Sequence, residues 1–470
     1  EFEVPAWGNG HNVTYSIPAG VQVLDLGYRQ TAYPAKPVGS FTSSETWMNV
    51  LWAKAVTTLR VCMRDSFMDC PDRERSPWPG DYANMIELCG YALDRRADHL
   101  IRKSFAELVG WKTPDGILWG AVPTGRFAES YREFPAQSQA AIAVGLRDFW
   151  MQSGDRSFLE AVYPAVRDYL LRLYKQDADG RVEHRGPWKT AWGPGTQSWY
   201  DWGTEPDAAL MDQTWYASSL QTLAAFAQAL GKTEDAAECN TRWERIRQFL
   251  PQWWDDKQGG YRSPQFTFAP DPRGNALAVC AGVAPAAHQE SLAELLRTRT
   301  TNSIYMEKHV VDALFRLDRP DLALARIRQR YAFELASPYT TLPERFGEDS
   351  NHAWGVGPAA ALIREIVGLK PDRPGWQQFS IQPADMAIAR CAATVPAPLG
   401  ALSVTVERSE ERWTLEIICP SGATGRVLLP ARFQRLESTP TATAKQNAQG
   451  QWEMAIQPGR WTVVAQAREL

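Results

Sequence analysis

The sequence predicts a mainly α-helical chain that finishes in an antiparallel β-sandwich, and three observations carry that prediction. From Ser43 to about Leu369, apolar residues recur at three- and four-residue spacing, the period of amphipathic helices. Many of these stretches are joined in pairs by short segments. After Pro371 the pattern changes to brief runs of alternating apolar and polar residues, the period of half-buried strands.

Taken in order, residues 1–40 are rich in Pro, Gly and β-formers and alternate over Val21-Gln22-Val23-Leu24-Asp25-Leu26. They read as a short N-terminal β-rich segment, the remnant of a β-domain that lies outside this sequence. Helices are expected over 44–62, 82–109, 134–153, 157–175, 208–230, 233–253, 274–283, 287–298, 302–316, 319–331 and 351–368. Ser43, Asp155 and Asp207 stand at starts as capping residues, and several ends fall on Gly. Helices joined pairwise by short turns form stacked αα-hairpins rather than a parallel sheet. Periodicity alone leaves a closed toroid and an open solenoid both open. Strands are expected at Leu402–Val406, Trp413–Ile418, Arg426–Leu429 and Trp461–Val464. The division is thus 1–40, 41–370 and 371–470.

Composition narrows the class. A chain of 470 residues, 44% hydrophobic and 22% charged, has the make-up of a globular protein of two or three domains. The net charge of -4, without a basic run, argues against a nucleic-acid partner. The longest apolar run, Ala276 to Ala287, is too short for a bilayer, so no membrane partner is expected. Seven cysteines, at 62, 70, 89, 239, 280, 391 and 419, lack the paired spacing of a zinc site or a disulfide framework. No metal and no organic cofactor is implied. Twenty tryptophans are unusual; a large flat face with one N–H donor suits both helical cores and binding platforms, and most are expected in the core.

The densest chemistry lies in Asp69-Cys70-Pro71-Asp72-Arg73-Glu74-Arg75-Ser76-Pro77-Trp78-Pro79-Gly80-Asp81. Prolines at 71, 77 and 79 remove backbone donors and exclude a continuous helix, so this is a stiff loop between two helices. The string resembles the acidic motif of bacterial α-L-rhamnosidases, glycoside hydrolase family 78. A second segment, Thr340-Thr341-Leu342-Pro343-Glu344-Arg345-Phe346 followed by Ser350-Asn351-His352-Ala353-Trp354-Gly355, resembles that family's Trp-Glu-Arg and Asn-His segments. Pro343 stands where the family commonly has Trp.

The resemblance implies a six-hairpin (α/α)6 barrel with its active site among the inter-helix loops, followed by the C-terminal β-sandwich. It also implies an exo-acting, inverting glycosidase that releases terminal α-L-rhamnose from a plant polysaccharide or glycoside. Such hydrolysis needs one protonated carboxyl group and one ionised one; the resemblance places the acid on Glu74 and the base on Glu344. Asp69 and Asp81 match carboxylates that bind sugar hydroxyls, Trp78 a wall for the C6 methyl, and Arg73 either a substrate contact or an ion pair tying the loop. Carboxylates near Glu74 favour a protonated acid, and Arg73 and Arg75 oppose it. Trp192, Asp201 and Trp202, in the aromatic Gly/Pro-rich loop Arg185–Pro206, resemble the family's sugar subsite. Trp119 and His352 are lesser binding candidates. Two alternatives stand beside this reading: a barrel glycosidase for a different sugar, and a non-catalytic glycan-binding protein. The compartment is periplasmic or extracellular if a signal peptide was removed and cytoplasmic otherwise; the oligomeric state is open.

Overall fold

In the computed structural model, which describes residues 8–10, 12–123, 133–185, 189–190, 193–194 and 199–467, the helices stand close to where their periodicity puts them. A strand β1 (Ser40–Ser43) leads into α1 (Thr46–Val61), α2 (Pro79–Ala92), α3 (Ala97–Gly110), α4 (Pro135–Ala140) and α5 (Arg147–Ser153), the last two joined by a π-helical turn at Ala141–Leu146. There follow α6 (Arg156–Asp168), a two-residue hairpin β2 (Lys189–Thr190) and β3 (Gly193–Pro194), α7 (Ala208–Ala229) and α8 (Thr233–Phe249). A second small hairpin, β4 (Trp254–Asp255) and β5 (Gly260–Tyr261), precedes α9 (Pro272–Cys280), α10 (Gln289–Thr298), α11 (Ile304–Arg316), α12 (Pro320–Arg330), α13 (Ala332–Ala336) and α14 (Gly357–Ala361). Asp155 and Asp207 do cap their helices, accepting the Phe158 and Leu210 N–H groups. Ser43 does not; it ends β1, and α1 starts after Glu45 without a side-chain cap.

Two expectations about the course of the chain also fail. The single helix expected over 82–109 is two, α2 and α3, because the chain at Val38 and Gly39 donates both N–H groups to the Ala92 carbonyl and turns Leu93 extended. Apolar periodicity runs on through that break and hides it. The β-rich reading of the N-terminal segment also fails: its described residues before Ser40 hold no strand, and Val21, Val23, Leu24 and Leu26 lie exposed. Alternation makes a strand only where a neighbour supplies hydrogen bonds. β1 has one, pairing antiparallel with a C-terminal strand through Ser40 and Thr394.

Beyond the helices run β6 (Leu369–Pro371), β7 (Gln378–Ile381), β8 (Arg390–Ala397), β9 (Gly400–Arg408), β10 (Arg412–Cys419), β11 (Thr424–Leu429), β12 (Arg435–Thr439), β13 (Ala444–Gln446), β14 (Trp452–Ile456) and β15 (Gly459–Gln466). They form a six-stranded sheet, ordered β1-β8-β9-β10-β15-β12, and a five-stranded sheet, β13-β14-β11-β7-β6. Alternate residues of β10 and β15, among them Trp413, Leu415, Ile417, Trp461 and Val463, are buried. The sheets are not wholly antiparallel, since β11 runs parallel to β7. Between those strands the chain crosses to the other sheet for three strands, a connection long enough for parallel pairing.

Within the helical region α2 packs against α4, α4 against α7, α7 against α9, α9 against α11, α11 against α14, and α14 again against α2. The first turns of these six helices carry Asp81, Gln137, Leu210, Arg273, Tyr305 and Pro358. Their positive dipole ends favour acidic groups nearby. None of the described helices is long and apolar enough to cross a membrane.

Candidate active site

The acidic string folds as a closed loop between α1 and α2. The Asp69 N–H donates to the Ser76 carbonyl at 2.9 Å, and the Ser76 N–H returns to Asp69 Oδ1 at 2.9 Å. This clasp thrusts out residues 71–75, with Arg75 in the left-handed region at φ 56° and its Nε bonded to the Pro71 carbonyl. Such a conformation costs on the order of 1 kcal/mol or more in a non-glycine residue and persists only where the surroundings impose it. Pro79 then starts α2 at the position where a missing N–H is harmless. Gly80 is fixed by close approach: a Cβ there would lie 2.4 Å from the Tyr305 hydroxyl.

The second string comes down on the first. Arg73 Nη2 lies 2.8 Å from Glu344 Oε2 and 3.1 Å from Glu74 Oε1, so one guanidinium nitrogen holds both glutamates. His352 Nε2 sits 2.8 Å from Asp81 Oδ1, Asn351 Nδ2 donates to Asp72 Oδ2 at 3.0 Å, and the Ala353 N–H donates to the Asp69 carbonyl at 3.1 Å. Residues separated by as many as 279 positions are thereby brought to one place. Glu344, with a side chain 13% exposed, is no free loop glutamate. Glu74, at 27%, accepts from the Trp78 indole at 2.8 Å.

Charge crowding is felt most by the two aspartates. Burial raises Asp69 to about 7; His352 works against that rise, and the charges of Asp81 and Glu74 add to it. Burial, then Glu74 and Glu344, push Asp81 well above the ordinary carboxylate range. Burial lowers His352 against the pull of Asp69, Glu344 and Glu74. Asp72, expected to crowd Glu74, instead takes hydrogen bonds from Asn9 and Asn351.

Aromatic rings wall the acids. Trp199 stacks on Trp354 at 5.6 Å and meets Trp202 edge-on at 5.7 Å, while Tyr305 packs on both Trp199 and Trp354. Trp78 meets Phe134 edge-on at 5.5 Å, and Arg345 lies over the Trp202 ring at 5.1 Å. Trp354 also donates its indole N–H to the Glu344 carbonyl at 3.0 Å and packs on His352 at 4.1 Å. The tryptophan missing at Pro343 is thus matched by another beside the same glutamate.

Of the expected binding residues, Asp69, Arg73, Trp78, Asp81, Trp202 and His352 belong to this constellation. Asp201 does not contact the open site. Its carboxylate is fully buried, accepting from the Ser303 N–H at 2.9 Å and from the Ser303 hydroxyl, with Arg273 3.5 Å away, and so anchors its loop to the start of α11. Trp119 is half-buried, its indole N–H without a partner among the described residues, and no hydrogen bond or ring contact ties it to the acids. Trp192 lies outside the described residues. Sequence reasoning placed Trp199 in the aromatic loop without making it a site residue, and missed Trp354 and Tyr305 as site residues. Trp354 lies within the second motif and Trp199 within the aromatic Gly/Pro-rich loop; Tyr305 carries no signal that separates it from core aromatics. It also missed that Asp69, Cys70 and His352 each present a ligand atom within 4.8 Å of the others.

Residues 36–366 match the family model for the bacterial alpha-L-rhamnosidase six-hairpin glycosidase domain, and residues 368–443 the model for the bacterial alpha-L-rhamnosidase C-terminal domain. No curated protein matches the chain significantly. Among solved structures, an alpha-L-rhamnosidase from Dictyoglumus thermophilum aligns over 92% of this chain and 51% of its own, at 19% identity and a TM-score of 0.76. An alpha-L-rhamnosidase from Streptomyces avermitilis, complexed with L-rhamnose, aligns over 92% and 42%, at 19% identity and 0.75. A GH78 family rhamnosidase from Bacillus sp. GL1 aligns over 86% and 44%, at 24% identity and 0.72. The chain therefore spans about half the length of these structures, and at such identities the likeness is one of fold.

Proposed function

Because the chain belongs to the bacterial alpha-L-rhamnosidase six-hairpin glycosidase family, we propose that it is an exo-acting, inverting glycoside hydrolase that releases terminal α-L-rhamnose from a plant polysaccharide or glycoside. The helical region is read as a closed (α/α)6 barrel, a reading supported by the ring of contacts that returns from α14 to α2. The observation that carries the functional reading is the meeting of Glu74 and Glu344 on one arginine nitrogen, beside the buried Asp69, Asp81, Trp78 and Trp354.

Glu74 protonates the departing glycosidic oxygen and Glu344 activates water on the opposite face of the sugar. Asp69 and Asp81 accept bonds from rhamnose hydroxyls, with His352 beside them, and Trp78 and Trp202 cover the ring and its methyl group. Arg73 sets the spacing. Its two contacts keep the facing glutamate oxygens within about 6 Å of each other, and inversion takes a separation of ~6.5–9.5 Å between the carboxyl groups, room for an attacking water. Asp201 positions the tryptophan loop instead of touching sugar.

A panel of p-nitrophenyl glycosides tests the sugar, with NMR of the first-formed product testing the stereochemistry. The α-L-rhamnoside should be cleaved fastest and β-L-rhamnose should appear first. Preference for another glycoside would overturn the sugar assignment, and α-L-rhamnose appearing first would overturn inversion.

A further inference from the structure

We propose that the sugar pocket is also an inhibitory site for a thiophilic divalent cation of the zinc class, held by Asp69, Cys70 and His352. One ligand atom of each lies within 4.8 Å of the others, and all three residues are buried. Zinc takes oxygen, sulfur and nitrogen donors at about 2.0–2.3 Å, so a sub-ångström adjustment brings the set onto one ion.

Each donor is already disposed for this. Asp69 Oδ1 is committed to the Ser76 N–H at 2.9 Å, which leaves Oδ2, where the Cys70 thiol donates at 3.2 Å. His352 Nε2 is committed to Asp81 at 2.8 Å, while its Nδ1 is buried without a hydrogen-bond partner among the described residues. A carboxylate on the far nitrogen is the arrangement that fixes and strengthens a ligating imidazole. On binding, the Cys70 S–H bond breaks and the sulfur bonds the metal; the thiol proton, and the carboxyl proton of any Asp69 that carries one, go to solvent. Three protein donors leave a fourth, tetrahedral position to water. Cys70 and His352 are far apart in sequence, so no ligand spacing announced the set.

Since Asp69 and His352 are also assigned to the sugar, cation and L-rhamnose exclude each other. That exclusion rests on the proposed rhamnosidase activity; the cation site does not. With chelator-free enzyme, added zinc should raise the apparent KM for a rhamnoside without lowering kcat, and EDTA should reverse it. Cys70→Ser should weaken zinc inhibition at least about tenfold while leaving metal-free hydrolysis unchanged. Cadmium titration reads binding without activity: a thiolate-to-cadmium absorption band should form in the wild-type chain and be absent in Cys70→Ser. Cys70→Ala serves if the serine variant does not fold. Equal zinc inhibition of wild type and variant, an unchanged cadmium band in the variant, or a fall in kcat at constant KM would overturn the proposal. If no rhamnoside is cleaved, the activity assignment fails alone, and the cadmium band still decides the cation site.

Discussion

Helix α2 carries two buried acids roughly two turns apart, Asp81 and Glu87, and their surroundings treat them differently. In its first turn Asp81 joins Asp69, Glu74 and Glu344, with Arg73 beside the glutamates and His352 beside Asp81. Further along, Glu87 and Asp312 of α11 share the buried Lys308, which lies 2.7 and 2.9 Å from them, and both also pair with Arg364. Burial pushes Glu87 and Asp312 up, but Arg364 and Lys308 together outweigh it and hold both below the ordinary carboxylate range. Asp69 and Asp81 are held above it. One helix thus separates a matched ion network, which locks packing, from an unmatched one, whose poor satisfaction marks it for a ligand.

The largest effect that can break this contrast is on activity. Glu344→Gln should lower kcat/KM for rhamnoside hydrolysis about 10²- to 10⁴-fold, the usual span for a lost general base. Thermal unfolding should shift little, and a large drop in midpoint would mean that the acid is structural.

Lys308→Met is the converse experiment. It leaves Glu87 and Asp312 with Arg364 as their shared cation, and breaking such a network costs about 3–5 kcal/mol. Denaturant unfolding should show that loss, while kcat per folded molecule stays near wild type.

The two acid clusters should also answer to pH with opposite sign. Asp69, raised to about 7, makes the folded chain bind more protons than the unfolded one between about pH 4 and 7. Its stability contribution is complete below that window and is lost as pH rises through it. Glu87 and Asp312 contribute above the ordinary carboxylate range and lose their contribution as pH falls through it. Asp69→Asn should remove a decline between pH 4 and 8 of no more than about 4 kcal/mol, since each pH unit between the folded and unfolded titration points is worth ~1.4 kcal/mol. An identical pH–stability slope in the variant would contradict the assignment.

The smallest effect calibrates the others. Asp155 caps α6 and pairs with Arg102, a residue of neither ion set, so Asp155→Ala should cost about 1 kcal/mol of stability and leave rhamnose binding untouched.

How much of this was legible depends on how local the signal was. The acidic loop could be read because three prolines and its acids lie within thirteen residues, and most helices because one face of each is apolar. The break between α2 and α3 could not, since hydrogen bonds from Val38 and Gly39 made it. Nor could the fate of Asp201: a sequence shows a carboxylate but not whether Ser303 and Arg273 have already engaged it. Tyr305 looks in sequence like Tyr169 or Tyr216, which are fully buried in the core. Only the convergence of distant segments separates them.

The central claim, that the unmatched acids form a rhamnosidase site with Glu74 as acid, is tested most directly by the leaving-group dependence of Glu74→Gln. Natural rhamnosides depart as alkoxides that need a proton, whereas p-nitrophenolate leaves without much help. The account predicts a loss of about 10²- to 10⁴-fold in kcat/KM on a natural rhamnoside and a much smaller one on p-nitrophenyl α-L-rhamnoside. Equal losses on both substrates would contradict it.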